Sequence, residues 1–124
     1  MITRDSLLEV LPSLAAEGTA VDSAGAVLAA ATAAPYGVVE RSDDPKGFAS
    51  VALLGYPAEI EVKLHTTAGA IVKGSLLQLH TNGTFKLDLA TGARVVCAQA
   101  LEAKAAEGQL LKARLLSTAL VYAA

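Results

Sequence analysis

The chain has 124 residues, a net charge of −2, a single cysteine and no tryptophan, and 53% of it is hydrophobic with only 4% aromatic. That length suits one core without staples, and the core must be built from Ala, Val, Leu and Ile. Scattered Lys and Arg on a slightly acidic chain give no electrostatic reason to approach nucleic acid, Cys97 alone excludes an internal disulfide or a thiolate metal cluster within one chain, and no apolar run reaches the roughly 20 residues of a spanning helix.

From the N-terminus, Met1 to Gly18 admits two forms. Thr3 or Asp5 could cap a short helical turn, which Pro12 would end, or the segment could be an extended arm. Ile2, Leu7, Leu8, Val10, Leu11 and Leu14 are too heavy an apolar load for a free tail. The arm is therefore expected to dock, on its own domain or on a neighbour, with residues 19–124 forming a single β domain. No secretion signal is expected, because no continuous apolar stretch follows the early charges.

Between Thr19 and Ala34, Asp22-Ser23-Ala24-Gly25 reads as a turn joining two brief extended segments. Val38-Val39-Glu40 opens a strand, and Arg41 to Gly47 reads as a polar, solvated loop. Its adjacent Asp43 and Asp44 lack the ligand spacing of a calcium loop. Phe48 to Leu54 has the look of a buried strand, and Gly55-Tyr56-Pro57 turns the chain. Glu59 to Leu64 then alternates, with Ile60, Val62 and Leu64 inward and Glu59, Glu61 and Lys63 outward. Glu59 and Glu61 share a face, but an exposed face gives no burial to tune a catalytic pair.

Ser75 to Leu89, SLLQLHTNGTFKLDL, is the clearest unit. Asn82-Gly83 suits a two-residue type I′ hairpin turn, which requires positive φ at both positions. Phe85, Leu87 and Leu89 continue an apolar face that Leu77 and Leu79 begin. His65 and His80 are too few for zinc even with Cys97 as a third ligand, and read as surface residues. Arg94 to Leu101 is a further strand in which Cys97 should be buried and inert. Glu102 to Gly108 reads as one helical turn or an acidic loop, followed by two closing strands, Leu110 to Leu115 and Ala119 to Tyr122, separated by Ser117-Thr118.

The halves repeat weakly. A difference of 58 places Gly25 on Gly83 and Val38 on Val96 (83 minus 25, 96 minus 38), and Val27 on Phe85. A difference of 62 places Ala49, Val51 and Leu53 on Leu111, Ala113 and Leu115. The expected fold is all-β, a small barrel or sandwich of two pseudo-repeated halves that leaves no long edge exposed.

The succession AAPYGVVERSDDPKGFASVALLGYPAEIEVKL, TTAGAIVKGSLLQLHTNGTFKLDL and GARVVCAQALEAKAAEGQLLKARLL, spanning Gly18 to Leu116, resembles the capsid decoration, or cement, proteins of tailed bacteriophages. The resemblance implies a compact, β-tulip-like body with a variable N-terminal arm and no cofactor. It also implies a virion protein, made in the host cytoplasm, that binds the major capsid protein on the outside of the head shell, often as a trimer. Ile2 to Leu14 would then make the shell or neighbour contact. Two rivals stand beside it: a tail or connector domain, and a barrel-sandwich carrier domain, for which Lys63 within a strand and Lys73 beside Gly74 are poorly placed. No catalytic constellation is visible, so an enzyme is not expected.

Overall fold

The computed structural model describes residues 7–43, 46–104, 106 and 108–123. Among these, nine strands form two antiparallel sheets. The first contains β1 (Leu8–Pro12), β4 (Phe48–Leu53), β3 (Gly37–Asp43) and β2 (Ala20–Val21), in that spatial order. The second runs β5 (Ile60–Lys63), β9 (Leu110–Tyr122), β8 (Arg94–Ala100), β6 (Leu76–Leu79) and β7 (Phe85–Leu87). This second sheet curls until its outer strands meet, where Leu64 forms a parallel bridge with Phe85 and His65 N–H donates to the Phe85 carbonyl at 2.9 Å. The all-β expectation holds, with the second sheet curled into a half-barrel.

The pseudo-repeat is visible in the strand pairing. A shift of 58 carries the pair Ala20↔Val38 onto Gln78↔Val96 (78 minus 20, 96 minus 38), and the bridge Val21↔Val27 onto Leu79↔Phe85. It also carries Ser42 onto Ala100, whose partners are Ala49 and Ala113. The shift between β4 and β9 is therefore 64 (113 minus 49), not the 62 read from the sequence. Both values are even, so the same face stays inward and side-chain alternation could not tell them apart. In the same scheme β1, beside β4, is the counterpart of β5, beside β9.

Three local expectations change. Arg41, Ser42 and Asp43 are not loop but continue β3 against Ser50, Ala49 and Phe48, since backbone pairing asks for no particular side chain on the solvated face. The closing strands are one thirteen-residue strand with a bulge. Here Leu116 to Ala119 oppose Cys97 alone, between Leu115↔Ala98 and Leu120↔Val96, and the Leu116 carbonyl accepts from Gly55 N–H at 2.8 Å. Leu89, expected on the inner face of the hairpin, lies beyond β7 and is exposed.

The hairpin turn is more informative still. Asn82 and Gly83 both have positive φ, 59° and 72°, as anticipated. A plain two-residue turn would nevertheless pair His80 with Phe85 and set Leu79 facing Lys86, on the wrong parity. Instead Thr84 bonds twice, through its carbonyl to His80 N–H at 2.7 Å and through its N–H to the Thr81 carbonyl at 3.4 Å. One extra residue is absorbed, and Leu79 faces Phe85 while Leu77 faces Leu87. Burial of four apolar side chains on one face decides the register. Gly83 is required for a second reason, because a Cβ there would stand 2.6 Å from the Ala20 carbonyl.

Two cores result. The main one fills the space between the sheets, with Ala20, Val38 and Ala52 from the first meeting Val62, Leu77, Leu79, Phe85 and Leu111 from the second. A smaller one lies on the other face of the first sheet and comprises Leu11, Ala15, Val21, Val39, Ala49 and Val51. Gly18 stitches the sheets together, donating its N–H to Val39 at 2.8 Å and accepting from Lys63 N–H at 2.9 Å.

Candidate functional site: an apolar sheet edge

β1 is the outermost strand of the first sheet, so among the described residues no strand lies along one side of its backbone. Its register with β4 sorts the side chains. Glu9 and Leu11 face the small core with Val51 and Ala49, whereas Leu8, Val10 and Pro12 lie on the other face with Ala52, Ser50 and Phe48. The six N-terminal residues singled out from the sequence are thus divided by the fold. Leu11 is buried at 8% exposure, and Leu7 and Leu8 are half-buried against the main core. Val10 and Leu14 are left at the surface, 66% and 73% exposed. Ile2 and the possible caps Thr3 and Asp5 lie outside the described residues, as does Asp44.

Sequence reasoning missed Phe48, read as the start of a buried strand. It is 48% exposed, because it opens β4 on the face where the covering second sheet no longer reaches. Its neighbourhood with Val10, Arg41 and Ser50 forms a shallow cavity of about 210 Å³. Next to it an open groove of about 620 Å³ is lined by Pro12, Leu14, Gly25, Val27 and Gly47 among others. Ser13 holds the groove's floor together, donating its hydroxyl to the Gly25 carbonyl at 2.7 Å and accepting from Ala15 N–H at 3.1 Å. Exposed Val10 therefore stands on the outermost strand, with exposed Leu14 just beyond its end and exposed Phe48 on the neighbouring β4, an arrangement suited to binding another polypeptide.

Elsewhere the polar groups are arranged structurally. Tyr36 donates its hydroxyl to Glu9 Oε1 at 2.6 Å, and that bond, with some burial and the carboxylate charge, pushes the phenol above its ordinary value. Arg94 pairs with Asp88 at 2.6 Å and lies 4.0 Å over the Tyr122 ring. Cys97 is fully buried, and burial pushes its thiol up to about 12. Glu59 and Glu61 remain exposed and share a groove with Glu17, Glu40 and Lys112. His65 and His80, fifteen positions apart in the chain (80 minus 65), stack with ring centroids 3.9 Å apart. Among the described residues no three His, Cys, Asp or Glu side chains gather as metal ligands. Lys73 is exposed at a tight turn in which Ser75 N–H bonds the Val72 carbonyl at 3.0 Å, but the chain before it, residues 68–72, forms no strand, so this is not a hairpin tip.

Compared with known proteins, the chain matches no family model, and no curated protein matches it.

Proposed function

We propose that this protein decorates the outside of a tailed-phage head, binding the major capsid protein and neighbouring copies of itself, three around each site, and so reinforcing the shell. The observation that carries the proposal is the outermost position of β1 among the described strands, with Val10 exposed on it, Leu14 exposed just beyond it and Phe48 exposed on the neighbouring β4. The resemblance of Gly18 to Leu116 to cement proteins supplies the partner.

A strand edge offers main-chain hydrogen bonds to an extended segment, and apolar side chains beside it supply the burial that makes such an addition hold. On a shell with many identical sites, a weak contact per copy becomes firm attachment once adjacent copies touch. Binding only the expanded lattice would stabilise that lattice by mass action.

Co-sedimentation with expanded capsids of the parent phage tests the proposal. The expected result is saturable binding in a fixed ratio to the major capsid protein, lost in Val10→Asp and Leu14→Asp variants whose circular dichroism is unchanged. Surface substitutions serve better than removal of residues 1–18, since truncation also strips Leu11 and Ala15 from the small core. A folded protein that binds no capsid would overturn the proposal and favour a tail or connector role. Binding unaffected by both substitutions would move the contact off β1.

A further inference from the structure

The second sheet is closed by few bonds. Where its edges meet, Leu64 forms a parallel bridge with Phe85 that includes the donation from His65 N–H to the Phe85 carbonyl at 2.9 Å, and beside it Leu87 N–H donates to the Ala68 carbonyl at 2.8 Å. Over this seam lie two imidazoles. His65 follows the end of β5, His80 precedes the turn into β7, and their rings stack at 3.9 Å with an interplanar angle of 25°.

The hydrogen bonds define the protonation of both rings. His65 Nδ1 accepts from Thr67 N–H at 3.1 Å, and His80 Nδ1 accepts from Thr81 N–H at 2.8 Å. A backbone N–H can only donate, so each Nδ1 must be the bare nitrogen, and each neutral ring carries its proton on Nε2. The hydroxyls of Thr67 and Thr81 stand beside the same nitrogens at 3.0 and 3.1 Å, and a hydroxyl rotates to suit either state. The amides cannot. When a solvent proton adds to Nδ1, the ring nitrogen stops accepting, and the amide that faced a lone pair faces an N–H instead.

We propose that the His65–His80 stack is an acid-sensitive latch on the barrel: neutral, it covers the seam between Leu64 and Phe85, and on taking up a proton it releases the two turns and opens that seam. The surrounding charges act in the same direction. His80 is held below the ordinary histidine range first by burial, then by His65 across the stack and by Lys86 on β7. A histidine whose folded value lies below its unfolded value weakens the fold as pH falls through the ordinary histidine range, the loss growing until the folded value is reached. Stability from His80 is thus present at neutral pH and lost in mild acid. Opening would uncover the outer edge of β7, which the seam otherwise protects.

Amide hydrogen exchange on the full-length protein, corrected for the intrinsic effect of pH on exchange, provides the test. Between about pH 7.5 and about pH 5, where histidine charges, protection of the His65, Thr67 and Thr81 amides should fall by about tenfold for each unit the folded-state value lies below the unfolded one. Amides of β3 and β4 should not follow. His80→Gln keeps a side-chain oxygen able to accept a hydrogen bond but does not titrate, so this variant should lose most of the pH dependence while keeping protection at neutral pH. Seam amides that track the rest of the protein, or a variant with unchanged pH dependence, would overturn the proposal. Should that variant not fold, nitrogen NMR of the wild-type rings decides instead. Bare Nδ1 in both rings at neutral pH, with His80 titrating below the ordinary histidine value, is the expected result, and titration of His80 at that ordinary value refutes the latch.

Discussion

Leu11→Ala and Val10→Ala are adjacent on one strand and face opposite ways, which makes them a sharp test of how the N-terminal segment is held. Leu11 is the largest of the six side chains in the small core, packed among Val21, Val39, Ala49 and Val51. Truncating a buried leucine costs about 2–5 kcal/mol, the spread reflecting how far the site collapses around the loss. A small core near the surface relaxes more readily than a deep one, so the lower half applies, about 2–3 kcal/mol. Val10, 66% exposed, removes almost nothing from water, and its truncation should stay within about 0.5 kcal/mol. Urea denaturation followed by circular dichroism reads the difference. With a slope of about 2 kcal/mol per molar, Leu11→Ala should lower the midpoint by about 1–1.5 M while Val10→Ala leaves it in place. Equal midpoints for the two variants would refute the docking of β1 in this register, and a larger loss for Val10→Ala would mean the strand lies one residue out of phase.

Three further outcomes are expected. Gly83→Ala should destabilise by about 2 kcal/mol or more in thermal unfolding, since a side chain at φ 72° is strained by about 1–2 kcal/mol and its Cβ also meets the Ala20 carbonyl. Cys97 should resist thiol reagents until the protein unfolds. Because its folded value of about 12 lies above the unfolded one, stability should be intact at neutral pH and decline as the solution is made alkaline through the ordinary thiol range, a decline that Cys97→Ala should lessen. Asp88→Ala removes the partner of Arg94 and the acceptor of Ala90 N–H, and should cost about 1 kcal/mol, with the difference from wild type shrinking in molar salt.

Side-chain alternation made part of this fold legible in advance. Glu59 to Leu64 advertised β5 because its two faces differ in polarity, and Asn82-Gly83 advertised its turn because few residue pairs accept positive φ twice. Arg41 to Asp43 hid in β3 because a strand is defined by its backbone partners, and its polar side chains resemble loop composition. The lengthened turn that Thr84 closes and the bulge at Leu116 to Ala119 depend on which strand lies alongside, which no local pattern states. The candidate site was half legible. An apolar load between Leu7 and Leu14 was evident, yet its division into buried Leu11 and exposed Val10 and Leu14 follows only from the β4 register, and Phe48 joins the patch solely through that pairing. His65 and His80 meet because the barrel closes, so their stacking had no sequence signal at all.

The thirteen-residue strand β9 lies between β5 and β8, and so it is an interior strand of a sheet whose other members all precede it in the chain. During synthesis, β5 lacks its antiparallel partner until some fifty residues later, when Leu110 to Ala113 arrive to pair with it. The first sheet suffers no such delay, since β1 to β4 are complete before β5 begins. Assembly should accordingly proceed in two stages, with the first half acting as a template whose Ala20, Val38 and Ala52 wait, exposed, for the second half to cover them. A ribosome stalled before Leu110 would then carry a sticky half-protein, and the cell's chaperones, rather than the finished fold, would decide how much of the chain reaches its working form.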